Sequence, residues 1–97
     1  MKTKPQSKKS ETYPEGTLRL WWIPQVPMEP FHVFVKNYEE ALLLIRVLAN
    51  YDLFQFENRV KPDYSNAGGL EVWEDGEWCE WYNEDGQSID DLDRERD

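Results

Sequence analysis

The chain has 97 residues, with 20 acidic against 11 basic side chains, a formal net charge of −9, 39% hydrophobic and 14% aromatic content. That length leaves room for one small domain with a modest core, and the charge argues against a general nucleic-acid binder, which needs clustered Lys and Arg. No apolar run approaches the ~18 residues that span a bilayer, and the lysine-rich stretch Met1 to Ser10 lacks the apolar segment of a secretory signal. Cys79 stands alone, so no intrachain disulfide forms, and a reducing compartment is expected.

The charge is unevenly spread. Residues 1–16 carry four Lys against Glu11 and Glu15, residues 17–62 balance five basic with five acidic side chains, and residues 63–97 set thirteen acids against Arg94 and Arg96. The first segment has little to bury and reads as a disordered basic arm. Structure is expected from Thr17, where Leu18, Leu20 and Trp22 alternate on one side of a strand. Pro24, Pro27 and Pro30 then make an extended connection, since none offers an amide donor. A second strand follows over Phe31 to Val35, with Phe31, Val33 and Val35 on one face and His32 and Phe34 on the other.

A helix is predicted next. Asn37 is a good N-cap with Glu40 three residues on, as in a capping box. Tyr38, Ala41, Leu42, Ile45, Leu48 and Ala49 recur at helical spacing, Leu43, Leu44 and Val47 widen the apolar face, and Asn50 is a plausible stop. The aromatic run Tyr51 to Glu57 reads as a strand, Asn58 to Lys61 as its continuation or a turn, and Pro62 to Gly69 as a loop in which Gly68-Gly69 is a flexible entry.

Asp75-Gly76 is a strong type I′ turn signal between strands Leu70 to Glu74 and Glu77 to Tyr82. The two-residue loop pairs Glu74 with Glu77, Trp73 with Trp78, Val72 with Cys79, Glu71 with Glu80 and Leu70 with Trp81. One face then carries Leu70, Val72, Cys79 and Trp81, which suits a core. The other carries Trp73, Trp78 and Tyr82 among Glu71 and Glu80. A second Glu-Asp-Gly at residues 84–86 predicts another turn, and residues 88–97 read as a frayed helical turn around Ile89 and Leu92 or as disorder.

Catalytic and metal chemistry find few residues to carry them. The single histidine, His32, lies in a predicted strand, and no Ser, Cys or Lys has a nucleophile's context. A calcium loop at either Glu-Asp-Gly turn would place Trp73 or Trp81 where oxygen ligands belong. One Cys with one His cannot build a structural zinc site. No cofactor or metal is expected. The aromatic side of the hairpin instead has an apolar centre and a charged rim, the anatomy of a protein-binding surface. The plainer alternative is that the Pro24–Pro30 segment, or another chain, covers those rings as ordinary core. The acidic third can steer the protein onto a basic partner, mimic phosphate, or simply solvate the tail.

Three segments are distinctive: Leu18-Arg19-Leu20-Trp21-Trp22-Ile23-Pro24-Gln25-Val26-Pro27-Met28, the run from Tyr51 to Tyr64, and Asn66-Ala67-Gly68-Gly69-Leu70-Glu71. Together they resemble a family of small phage- and prophage-encoded proteins labelled superinfection exclusion proteins, over roughly residues 17–82. The resemblance implies a virus-encoded accessory protein acting inside a bacterial host, and it supplies no catalytic residues. The polar cluster Gln55, Glu57, Asn58, Arg59, Lys61, Asp63, Tyr64 and Asn66 either fixes a loop or forms a contact surface.

The expectation is therefore an α+β domain over residues 17–83, an antiparallel sheet of four to five strands on one main helix, between a disordered arm 1–16 and an acidic, largely disordered tail 84–97. Its expected function is non-enzymatic: binding and inhibiting a host or rival-phage protein with a basic surface, in the host cytoplasm and without membrane insertion. Glu71, Trp73, Trp78, Glu80 and Tyr82 are the predicted contact residues, with Arg59, Lys61, Asp63 and Tyr64 secondary. The alternative is a sponge that sequesters a nucleotide-like or aromatic signal between Trp and Tyr rings. Dimerisation through an exposed strand or the wide helix face is also open.

Overall fold

The computed structural model describes residues 12–61 and 65–95. Four strands, β1 (Leu18–Ile23), β2 (Phe31–Val35), β3 (Ala67–Glu74) and β4 (Glu77–Glu80), and two helices, α1 (Tyr38–Glu57) and α2 (Ile89–Glu95), follow in the order β1-β2-α1-β3-β4-α2. The strands form one antiparallel sheet in the order β2-β1-β3-β4. Both helices lie on one face, so the α+β expectation holds with four strands.

The core follows the predicted alternation. Leu20, Trp22, Val35 and Leu70 point from the sheet toward Ala41 and Ile45 of α1 and Ile89 of α2, with Leu18, Val33 and Trp81 packed around them. Burying such side chains contributes roughly 1.5–3 kcal/mol each. The cap is also as expected: Asn37 Oδ1 accepts from Glu40 N at 2.9 Å, and Glu40 Oε1 accepts from Lys36 N at 2.8 Å.

The helix does not stop at Asn50, and Tyr51 to Glu57 is helical rather than a strand. The inward positions run Ala41, Ile45, Ala49 and then Asp52, so a carboxylate occupies the next apolar slot and hides the period. The aromatic residues that suggested a strand face outward, with Tyr51 and Phe54 exposed. The helix ends at Asn58. Arg59 N then bonds to Phe56 O, Val60 N bonds to Gln55 O, and Arg59 sits at φ 64°. This is a Schellman termination with arginine in the place usually held by glycine.

Gly68 and Gly69 are not a flexible entry but lie inside β3, opposite Trp22 and Trp21 of β1. A Cβ on Gly68 would stand 2.3 Å from Trp22 Cε3, and one on Gly69 2.5 Å from Trp21 Nε1. Each indole lies across the neighbouring strand in the space a side chain would fill. Two glycines are thus needed because two tryptophans flank them, one on each face of the sheet.

Described residues on either side of 17–83 also pack against the domain. Residues 12–16, within the expected arm, run along the hairpin: Gly16 N donates to Trp73 O, and Asp75 N donates to Glu15 Oε2. Residues 1–11 lie outside the described residues. In the expected tail, Asn83 Oδ1 accepts from Asp85 N and Gln87 N, which makes the second predicted turn. Ser88 and Asp91 then cap α2 reciprocally, and Ile89 enters the core at 3% exposure. Arg46 reaches Asp93 at 3.6 Å and ties the two helices together. One deeply buried isoleucine is what converts an acidic tail into structure.

Candidate functional site: the outer face of the sheet

The hairpin has the predicted register, and both turn residues take positive φ, Asp75 at 54° and Gly76 at 81°, as a type I′ turn requires. Trp73 N donates to Thr17 O on the β1 side. Trp73 and Trp78 therefore form a pair not hydrogen-bonded to each other, the arrangement in which facing side chains approach most closely. Their ring centroids are 5.2 Å apart, edge to face.

The cover over these rings comes from a residue that sequence reasoning left in the arm. The Tyr13 ring lies edge-on to Trp73 at a centroid distance of 5.0 Å and tilted against Trp78 at 5.2 Å and Phe34 at 5.6 Å. Trp73 is consequently buried, at 8% exposure, and is not the open contact residue expected. Neither the Pro24–Pro30 segment nor another chain is needed to cover it. The available signal was that Tyr13 is the single aromatic residue among the first sixteen. Trp78 is half-buried, and Phe34 beside it is 57% exposed.

Arg19 completes the surface. Its guanidinium carbon lies 4.1 Å from the centre of a Trp78 ring, and its Nε is 2.7 Å from Glu71 Oε1. Glu71 stands directly opposite Glu80, and Glu74 opposite Glu77. Like charges facing each other across strands destabilise a sheet. Arg19 offsets the first pair through Glu71. At the second pair, Glu15 and Asp75 add further negative charge nearby. Tyr82 does not join the aromatic group. It lies beyond β4, bridges to Ser88, and its hydroxyl donates to Glu80 Oε1 at 3.1 Å, which raises the pKa of the phenol.

Two other groups have shifted titrations, one on each face of the sheet. The His32 pKa is lowered first by desolvation against the sheet and then by the Arg19 charge, with Glu71 opposing. The half-buried Cys79 thiol has its pKa raised by desolvation first and then by Glu77, Glu74, Asp75 and Glu15. Val72, opposite Cys79, is buried, as its predicted face implied.

The secondary contact residues divide. Lys61 is largely buried: its Nζ lies 3.3 Å from Asp52 Oδ1 and donates to Pro24 O. Asp52 Oδ2 also accepts from Trp22 Nε1 at 3.2 Å and from Asn66 Nδ2 at 3.1 Å. Lys61 and Asn66 thus fix the loop to the helix. Arg59 is exposed at the end of α1, and Asp63 and Tyr64 lie outside the described residues.

A groove of about 660 Å³ opens where β4 ends and β3 continues, lined among others by Trp21, Gly68, Glu71, Glu80, Asp90 and Asp93. Its carboxylates oppose a phosphate-bearing ligand, so the groove lends nothing to a nucleotide sponge. Among the described residues, no cluster of three or more His, Cys, Asp or Glu side chains could hold a metal ion. No helix among them is long and apolar enough to cross a membrane.

A sheet with helices on one face and an aromatic, acid-rimmed surface on the other defines a small α+β protein. A family model described as superinfection exclusion gene product 17 matches residues 17–97. The chain belongs to this family of phage superinfection exclusion proteins. It is similar to the superinfection exclusion protein of Salmonella phage P22, with 44% identity over 80 residues, covering 69% of this chain and 78% of that protein. No solved structure matches it.

Proposed function

We propose that this protein is a non-enzymatic accessory factor that acts inside the host, binding and inhibiting a host or rival-phage protein through the outer face of its sheet. Phe34 and Trp78 form the apolar centre, Arg19 orients Trp78, and Glu71 and Glu80 form the acidic rim. Trp73 and Tyr13 support that centre from within, and Tyr82 acts only by holding Glu80.

The observation that carries this reading is the facing of Glu71 with Glu80 beside the exposed Phe34 and the half-buried Trp78. This like-charged pair costs stability in the isolated protein, offset on one side by Arg19. A partner presenting Lys or Arg would relieve that repulsion on docking, while the aromatic centre supplies the desolvated contact that dominates binding energy.

The test is affinity capture from infected cells with the full chain and with Phe34→Ser/Glu80→Lys. Both changes fall at exposed positions, so circular dichroism should show an unchanged fold. The wild type should recover one protein in stoichiometric amount and the variant should lose it. Equal recovery by both would remove the outer face from the mechanism.

A further inference from the structure

The solvent side of α1 is apolar where a surface helix is normally polar. Leu43, Val47, Tyr51 and Phe54 are 60%, 53%, 56% and 61% exposed. Their spacing of four, four and three residues places them within an arc of about 80° along about 17 Å of helix. This stripe is a separate surface from the outer sheet face, because α1 packs on the opposite side of the sheet.

From this stripe we propose that the protein forms a two-fold symmetric dimer in which α1 of one copy packs antiparallel on α1 of a second copy. The occupant is set by self-complementarity. A two-fold axis near Ala49 brings Val47 against the second copy's Tyr51 and Leu43 against its Phe54. The same axis places the exposed Glu39, in the first turn, at the level of the exposed Arg59 just past the helix end. Two opposite-charge pairs then close the two ends of one apolar seam, an arrangement only an isologous contact generates from one sequence.

The area is also of the right size. With roughly 150–250 Å² for each large apolar side chain, the exposed parts of these four amount to about 450 Å² per copy. Two copies bring about 900 Å² before Val60 and flanking polar groups are added, close to the ~1,000 Å² of a specific interface. The acidic residues of the β3–β4 hairpin lie on the sheet rather than along this seam.

Sedimentation of the full chain, with circular dichroism to verify folding, tests the proposal. The wild type should sediment as a dimer. Val47→Glu should be monomeric with an unchanged spectrum, because the carboxylate enters the seam while the side chain faces away from the core. Glu39→Arg should weaken self-association at least tenfold, and adding Arg59→Glu should restore it. Should Val47→Glu lose its fold, the charge exchange decides alone. A wild type that stays monomeric overturns the proposal, whether or not the stripe then binds lipid vesicles or another protein. A dimer unaffected by Val47→Glu, or a charge exchange that fails to restore association, overturns it as well.

Discussion

Asp52 gives the sharpest quantitative expectation. It is a buried charged residue in a helix slot that the preceding period reserves for an apolar side chain, at 3% exposure. Three groups converge on it: Trp22 from β1, Asn66 just before β3, and Lys61 from the loop. Asp52→Ala would leave the buried Lys61 ammonium without its carboxylate and two donors without an acceptor. Breaking a buried ion pair from one side costs about 3–5 kcal/mol. A domain of this size has a total stability on the order of 4–12 kcal/mol. The variant should therefore lose a large share of its stability, and its urea midpoint should fall by about 1.5–5 M at a slope near 1–2 kcal/mol per M. A double-mutant cycle with Lys61→Ala isolates the pair, and the coupling should exceed about 1 kcal/mol. A loss below ~1 kcal/mol for Asp52→Ala, or strict additivity with Lys61→Ala, would refute this account of how α1 is fixed to the sheet.

Further outcomes follow from the same contacts. Gly68→Ala should destabilise more than Gly69→Ala, by about 2–4 against 1–2 kcal/mol, because Trp22 is buried and Trp21 can tilt toward solvent; urea melts of the two variants compare them. Glu77→Lys should raise the melting temperature by about 2–5 °C, by turning a repulsive cross-strand pair into an attractive one. Cys79 should react with a disulfide reagent more slowly than a free thiol at pH 8, because desolvation and four nearby carboxylates disfavour its thiolate. The His32 pKa is lowered in the folded state, so the unfolded chain binds more protons just below pH 6.5. Stability should therefore decline as pH falls through that region, and His32→Gln should decline less over the same interval.

How much of this was legible in the chain depends on the range of the interactions involved. The Asn37 cap and the Asp75-Gly76 turn are local devices, complete within a few residues, and both appear where the residues indicate. The register of the hairpin follows from its turn alone. The end of α1 was hidden because Asp52 breaks the apolar period for a reason that lies in Trp22, Lys61 and Asn66, all distant in sequence. Gly68-Gly69 resembles a loop until the two indoles of β1 are laid beside it. Tyr13 sits among Lys, Ser, Thr and Pro, and only the exposed edges of Trp73 and Trp78 give it a place to dock. Ile89 similarly gains meaning from a gap in the core that no local pattern marks.

The candidate surface was legible in part. Alternation from the turn put Trp73, Trp78, Glu71 and Glu80 on a common face, but burial of Trp73 depends on an aromatic residue 60 positions earlier. Phe34 and Arg19 were not among the predicted contact residues. They arrive through the pairing of β1 with both β2 and β3, which sets Arg19 opposite Phe34 on one side and Glu71 on the other.

The most direct test is phage plating on bacteria that express either the wild-type chain or Phe34→Ser/Glu80→Lys at matched levels of folded protein. The wild type should reduce plating of at least one phage, and the outer-face variant should restore it. Exclusion that persists undiminished in the variant would contradict a mechanism acting through this face.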